Sequence, residues 1–246
     1  MPLLSVITPT QAHNADHIGE VWAGLVDQPL PTGWEVEWVV QEDGDRPAVA
    51  DRLPDDPRIR YDALGVQIGS PATRTHALAR ARGDVVAGMD HDDRHLDGGV
   101  AGLIQPLVDH PDVAWSCGRC RWVMADGSTW VKDDVLPAGR VPARAVTDHF
   151  LATDDFPFPA AVAAYRRTHL VAHGGWPAVA RSTDAVLLAA FSDRWDGWWV
   201  DVEVAIYRRW PAQKTVQPQD WAIRDLPHVR GVIAQQRAAR DELFGG

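Results

Sequence analysis

Apolar and polar positions alternate in two rhythms along this chain. Leu3 to Thr8 is a short continuous apolar run, the mark of a buried strand. Ile18, Val21, Trp22, Leu25 and Val26 then recur at helical spacing and form one apolar stripe. Glu35 to Gln41 predicts a second strand, and Arg58 to Tyr61 a short third. Ser70-Pro71 opens a predicted helix that closes at Gly83. Ser suits the N-cap, Pro the first helical position and Gly the residue past the end. Asp84 to Met89 predicts another strand, running straight into Asp90-His91-Asp92-Asp93. A helical stripe follows at Leu96, Val100, Leu103, Ile104, Leu107 and Val108, with a bend expected at Pro106.

This strand–helix alternation predicts an α/β fold, a Rossmann-like and mostly parallel sheet with helices on both faces. Ligands of such sheets sit outside the carboxyl ends of the strands. The loops after Thr8, Gln41 and Met89 are therefore the places for chemistry, and two of them are rich in carboxylates.

The second half reads differently. Val113 to Met124 and Thr129 to Val131 predict a hairpin around Ala125-Asp126-Gly127-Ser128. An irregular stretch with several prolines runs to Pro159, and Ala160 to Arg166 reads as a strand. His173 to Pro177 is a tight loop, and Ser182 or Thr183 caps a helix through Phe191. Trp198 to Tyr207 predicts a strand and Val229 to Leu243 a terminal helix. No linker separates the halves. One domain over 1–246 is expected, with lobes at 1–112 and 113–246.

Composition narrows the function. The 246 residues are 46% hydrophobic and carry a formal net charge of -10, an ordinary globular balance on an acidic chain. That sign disfavours nucleic-acid binding, so an anionic ligand would need a local device such as a metal ion. No basic leader and no apolar run of membrane-spanning length is evident, and a cytoplasmic protein without a membrane span is expected.

Asp90-His91-Asp92-Asp93 crowds three carboxylates at a strand end. A divalent cation relieves their repulsion, and hard oxygen donors suit Mg²⁺ or Mn²⁺. The same residues also suit a solvated loop that caps the next helix. Asp43 precedes Gly44, as turn chemistry favours, or accepts hydrogen bonds from a nucleotide base. Arg74 sits in the first turn of a helix, where the dipole prefers anions, a mismatch that hints at a ligand. Asp184 is a first-turn acid or a general base held by the Gly174-Gly175 loop. Cys117 and Cys120 have redox spacing but lie inside a strand pattern rather than at a helix start. His91 and His95 have the spacing of a zinc hydrolase, without the helix such sites need. The 12 tryptophans fill cores or stack on sugars and bases.

The order of these segments resembles the family 2 glycosyltransferases of the GT-A fold. Ser5-Val6-Ile7-Thr8-Pro9-Thr10 is similar to that family's opening strand and nucleotide loop. Val40-Gln41-Glu42-Asp43-Gly44-Asp45 resembles its Asp-Asp-Gly-Ser strand end. Thr73-Arg74-Thr75, Ala81-Arg82-Gly83-Asp84 and Asp90-His91-Asp92-Asp93 resemble its Ala-Arg-Asn helix, Ala-x-Gly-Asp turn and DxD motif. His173-Gly174-Gly175-Trp176 and Ser182-Thr183-Asp184 resemble its Gly-Gly-Phe loop and Glu-Asp base motif. Tyr207 to Thr215 is similar to its closing Tyr-Arg segment. Departures from the family pattern are Gln11 for an aromatic residue, Asp45 for Ser, Thr75 for Asn and Thr183 for Glu.

The resemblance implies an inverting, metal-dependent transfer of a sugar from a nucleotide-diphosphate donor to a hydroxyl acceptor. Thr8, Pro9, Thr10, Asp43, Arg74 and Asp90 would bind the nucleotide. Asp92, with Asp93 adjacent, would hold Mn²⁺ or Mg²⁺, and Asp184 would be the general base. Gly175 and Trp176 would meet the acceptor, with the Trp195 to Trp199 cluster a further stacking surface. A catalytically silent nucleotide-sugar binder and a zinc hydrolase on His91 and His95 are the alternatives.

Overall fold

A computed structural model describes residues 1–133, 135–179, 181–210 and 225–245. The closing-segment residues Pro211 to Thr215 lie outside the described residues. Strands β1 (Leu3–Thr10), β2 (Glu35–Glu42), β3 (Ile59–Ala63) and β4 (Val85–Gly88) come first in the chain. They stand in the order β3-β2-β1-β4, all parallel. Leu4 to Thr10 are buried without a break, so both faces of β1 are covered.

The sheet then continues without interruption into the second half. Strand β9 (Ala163–Arg166) runs antiparallel between β4 and β6 (Trp115–Met124). Beyond it β10 (Gly197–Arg209) pairs parallel with β6, and the short β5 (Arg94–His95) closes that edge. Strand β7 (Thr129–Val131) pairs antiparallel with β6, as the hairpin pattern predicts.

Helices flank the sheet. These are α1 (Ile18–Ala23), α2 (Ser70–Arg80), α3 (Gly99–Asp109), α4 (Ala145–Thr153), α5 (Arg167–His173), α6 (Thr183–Ser192) and α7 (Leu226–Phe244). Helix α2 packs on β1 and β2, and α3 on β6, β9 and β10. A smaller apolar cluster joins α4, α6 and α7 through Phe150, Val186, Val229 and Ile233.

Several boundaries differ from the sequence pattern. The N-cap of α2 is Gly69, at φ 85°, and Ser70 lies inside the first turn. Its hydroxyl accepts a hydrogen bond from Arg74 instead of capping the helix. Ser182 precedes α6 at φ 57° without a side-chain cap. The proline-bearing stretch before Pro159 holds helix α4 and strand β8 (Gly139–Val141) rather than irregular chain. Val146 and Phe150 bury one face of α4, a spacing hidden by its brevity.

Tryptophan mostly fills the interior. Trp38, Trp115 and Trp199 are fully buried. Trp199 stacks on Phe158 at 4.4 Å, Trp198 on His110 at 4.0 Å, and Trp195 packs against Phe191 at 4.5 Å. Of the expected stacking surface at Trp195 to Trp199, Trp199 is buried, while Trp195 and Trp198 are half-buried. Each such ring, removed from water, contributes on the order of 1.5–3 kcal/mol.

Candidate active site

Strand order reverses between β1 and β4, and a crevice opens outside their carboxyl ends, as in other doubly wound sheets. It is a cleft of about 670 Å³. Pro9, Thr10 and Gln11 reach it from the end of β1, Asp43 from the end of β2, and Asp90, His91 and Asp92 from the turn after β4. Thr8 does not. It is fully buried, and its hydroxyl accepts a hydrogen bond from the Trp38 indole at 2.8 Å. Thr10 is buried at the cleft wall, and its hydroxyl has no partner among the described residues.

Asp43 is held in place before any ligand arrives. Its carboxylate accepts the backbone N–H groups of Ile68 at 2.6 Å and Gly69 at 3.2 Å. The Gln11 amide donates to the same group at 3.1 Å. Gln11, which stands where the family pattern has an aromatic ring, is therefore part of the Asp43 network.

Arg74 is the hub between the two sides. It is 5% exposed and pairs with Asp90, while its Nη2 lies 3.7 Å from Asp184 Oδ2. Burial works against its charge, but Asp184 and Asp90 more than offset that and raise its pKa. Asp184 projects from the first turn of α6. Its Oδ1 accepts the Trp176 indole N–H at 2.9 Å. Burial raises the Asp184 pKa, Arg74 pulls it back, and the like charge of Asp90 adds to the rise. A carboxylate pushed towards neutral pH is a better proton acceptor.

The Gly174-Gly175 loop explains how Trp176 reaches that position. Both glycines are left-handed, at φ 97° and 78°. A Cβ on Gly175 would come within 2.8 Å of Thr75 Oγ1. The close approach lets Thr75 accept the Trp176 backbone N–H at 3.1 Å. Trp176 is 5% exposed, so its ring face is covered and its work is to hold Asp184.

Asp93, unlike Asp92, does not line the cleft. It is 5% exposed, and its carboxylate accepts the Arg208 backbone N–H at 2.8 Å. Burial, then the neighbouring Asp92 and Asp90, push its pKa well up. The Arg208 side chain also donates to the Asp92 carbonyl at 2.5 Å and pairs with Glu20. Arg208 thus straps β10 to the acidic turn, a role no local pattern announces.

The remaining motifs do not form sites. His91 lies in a turn and His95 in β5, so the single helix that zinc hydrolases need is absent. Cys117 and Cys120 are free and buried within β6, and burial raises both thiol pKa values. Among the described residues no group of three or more His, Cys, Asp or Glu side chains is gathered to hold a metal by itself. Asp90 and Asp92 nonetheless fit Mg²⁺ or Mn²⁺ in the usual way for phosphate ligands, where one or two carboxylates hold the ion and phosphate oxygens and water complete the shell.

A curled sheet with its crevice at the β1/β4 reversal, lined by carboxylates, defines a GT-A type of protein. The glycosyl transferase family 2 model matches residues 5–172, and the chain belongs to that family of glycosyltransferases. No curated protein matches the sequence. Among solved structures, S. aureus TarS 1–349 in complex with UDP-GlcNAc aligns with a TM-score of 0.70 at 18% identity, covering 99% of this chain and 70% of that one. The same fragment in complex with UDP gives 0.67 at 18%, covering 99% and 70%. The longer TarS structure gives 0.61 at 16%, covering 99% of this chain and 44% of that one. At these identities the likeness concerns the fold.

Proposed function

We propose that this glycosyltransferase moves a sugar from a nucleotide-diphosphate donor to a hydroxyl acceptor, with inversion at the anomeric carbon. Residues 1–112 form its nucleotide lobe and 113–246 its acceptor lobe. The observation that carries the reading is the meeting of Asp43, Asp90 and Asp92 in one cleft, with Arg74 linking Asp90 to Asp184.

Asp43, oriented by Gln11 and the 68–69 backbone, receives the base. Thr10, whose buried hydroxyl has no partner among the described residues, and Pro9 line the nucleotide. Asp92 with Asp90 would hold a divalent cation, Mn²⁺ or Mg²⁺, which would supply positive charge to the diphosphate leaving group. Asp93 holds the turn that presents Asp92. Asp184 accepts the proton of the acceptor hydroxyl, whose oxygen forms the new bond to the anomeric carbon. The old carbon–oxygen bond breaks, and its electron pair leaves with the diphosphate. Trp176 and Arg74 keep the Asp184 carboxylate aimed during that transfer. Nucleotide sugars are cytoplasmic metabolites, and among the described residues no helix is long and apolar enough to cross a membrane. The availability of the donor there supports a cytoplasmic site of action.

The TarS complexes make UDP-sugars the first donors to try. The test is a thermal-shift series of nucleotide sugars with and without Mn²⁺, followed by donor hydrolysis. A ligand that binds only the folded state adds about 2.7 kcal/mol at a hundredfold excess over its Kd. Stabilisation that needs Mn²⁺ in the native protein, and is lost in Asp92→Ala, is the expected result. Equal donor affinity in Asp92→Ala overturns the metal assignment. Binding with no hydrolysis or transfer would make the protein a silent binder.

A further inference from the structure

The cleft has an aromatic flank. Tyr207, near the end of β10, lines the cleft with Asp90 and Asp92. Its phenol is near enough to Arg74 to bear on that charge. On its other side the ring meets Trp122 of β6, with centroids 4.6 Å apart and planes tilted by 53°. Trp122 in turn stacks on Trp130 of β7 at 4.9 Å and 13°. Register causes both contacts, because Tyr207 partners Trp122 across β10–β6 and Trp122 partners Trp130 across β6–β7. Three rings therefore stand in a row over three adjacent strands. The row begins beside the Arg74–Asp184 pair and ends at Trp130, which is 46% exposed.

We propose that this row carries the acceptor subsite and that its occupant is a carbohydrate, which stacks on the exposed face of Trp130 and extends past the Trp122 and Tyr207 ring edges with a hydroxyl directed towards Asp184. The inference rests on the glycosyl-transfer reading above. Three features favour a sugar. Trp130 stacks on Trp122 by one face and is nearly half exposed, so its other face can match the C–H face of a pyranose ring. The flank is polar rather than oily, since Arg209 lies 5.2 Å from the Trp122 ring centroid and the Lys132–Asp155 ion pair follows the end of β7. The Trp122 indole N–H is buried without a partner among the described residues, a donor that a bound hydroxyl or a bridging water would satisfy. Trp176 and Trp199, by contrast with Trp130, are buried.

The experiment is saturation-transfer NMR with methyl pyranosides and chitotriose at millimolar concentration, run beside a UDP titration. Native protein, Trp130→Ala and Trp130→Phe are compared. At least one saccharide should receive saturation from the native protein. Its affinity should fall about tenfold or more in Trp130→Ala and largely survive in Trp130→Phe, with UDP affinity equal in all three. UDP binding with no saccharide binding, or equal saccharide binding in Trp130→Ala, overturns the subsite and leaves the donor reading standing. Failure to bind UDP or any nucleotide sugar overturns the donor reading and the subsite with it. A change of oligomeric state in Trp130→Ala, with saccharide binding unaltered, assigns the row to self-association and overturns the proposal.

Discussion

Arg74 stands between two carboxylates, pairing with Asp90 and lying 3.7 Å from Asp184, which the proposed reaction assigns to donor and acceptor respectively. One cation therefore restrains both halves of the site. Because Arg74 lowers the Asp184 pKa, replacing it raises that pKa. A base works only when deprotonated, so transfer declines as pH falls through its pKa. In Arg74→Gln the acid limb of the rate profile should move to higher pH, and rate-against-pH curves of the two proteins check this. An unmoved limb would separate Asp184 from the titration.

Asp184→Asn preserves shape and the Trp176 contact but removes the proton acceptor. Transfer should drop by roughly 10²–10⁴-fold while nucleotide binding stays within a fewfold of native. Parallel calorimetry and turnover measurements give both numbers. Near-native turnover would refute the assignment.

Gly175→Ala tests the loop. The new Cβ meets Thr75 at 2.8 Å, and the φ of 78° is unfavourable for alanine. Such strain costs on the order of 1–3 kcal/mol. Denaturation should show that loss, and transfer should fall more than donor binding because Trp176 is displaced from Asp184. Stability equal to native would contradict the crowding.

His173 predicts a pH effect on stability away from the reaction. A histidine at a helix C-terminus ordinarily gains from protonation. Here burial, and then Arg240 and Arg194, depress its pKa to about 4 from 6.5. Between those values the unfolded chain binds more protons than the folded one, so stability falls as pH drops through that window. The contribution approaches about 1.4 kcal/mol per pH unit. Unfolding curves should show a shallower decline for His173→Gln over the same range, and equal slopes would exclude His173 as the source.

Much of the donor half was legible because its strands are covered on both faces. Leu4 to Thr10 and Val36 to Glu42 are buried runs that periodicity detects, and the loops after them follow from a rule about sheets. The placement of β9 was not, since an antiparallel strand inserted between β4 and β6 depends on partners far along the chain. Side-chain direction inside turns was equally hidden. Asp92 and Asp93 are neighbours in sequence, yet one lines the cleft and the other is held by Arg208. Trp176 was noticed for its ring, whereas its indole N–H is what reaches Asp184. The aromatic row at Trp130 needed two strand registers at once, which no single stretch of chain displays.

The Arg208 strap gives the site a timetable. A growing polypeptide acquires Pro9, Asp43, Arg74 and Asp92 early in synthesis, yet the turn bearing Asp92 gains its clamp only once the last sheet strand has emerged. A nascent or truncated chain ending before residue 208 carries most of the donor-side residues with none of that restraint, so competence arrives with β10 rather than with the first half of the fold.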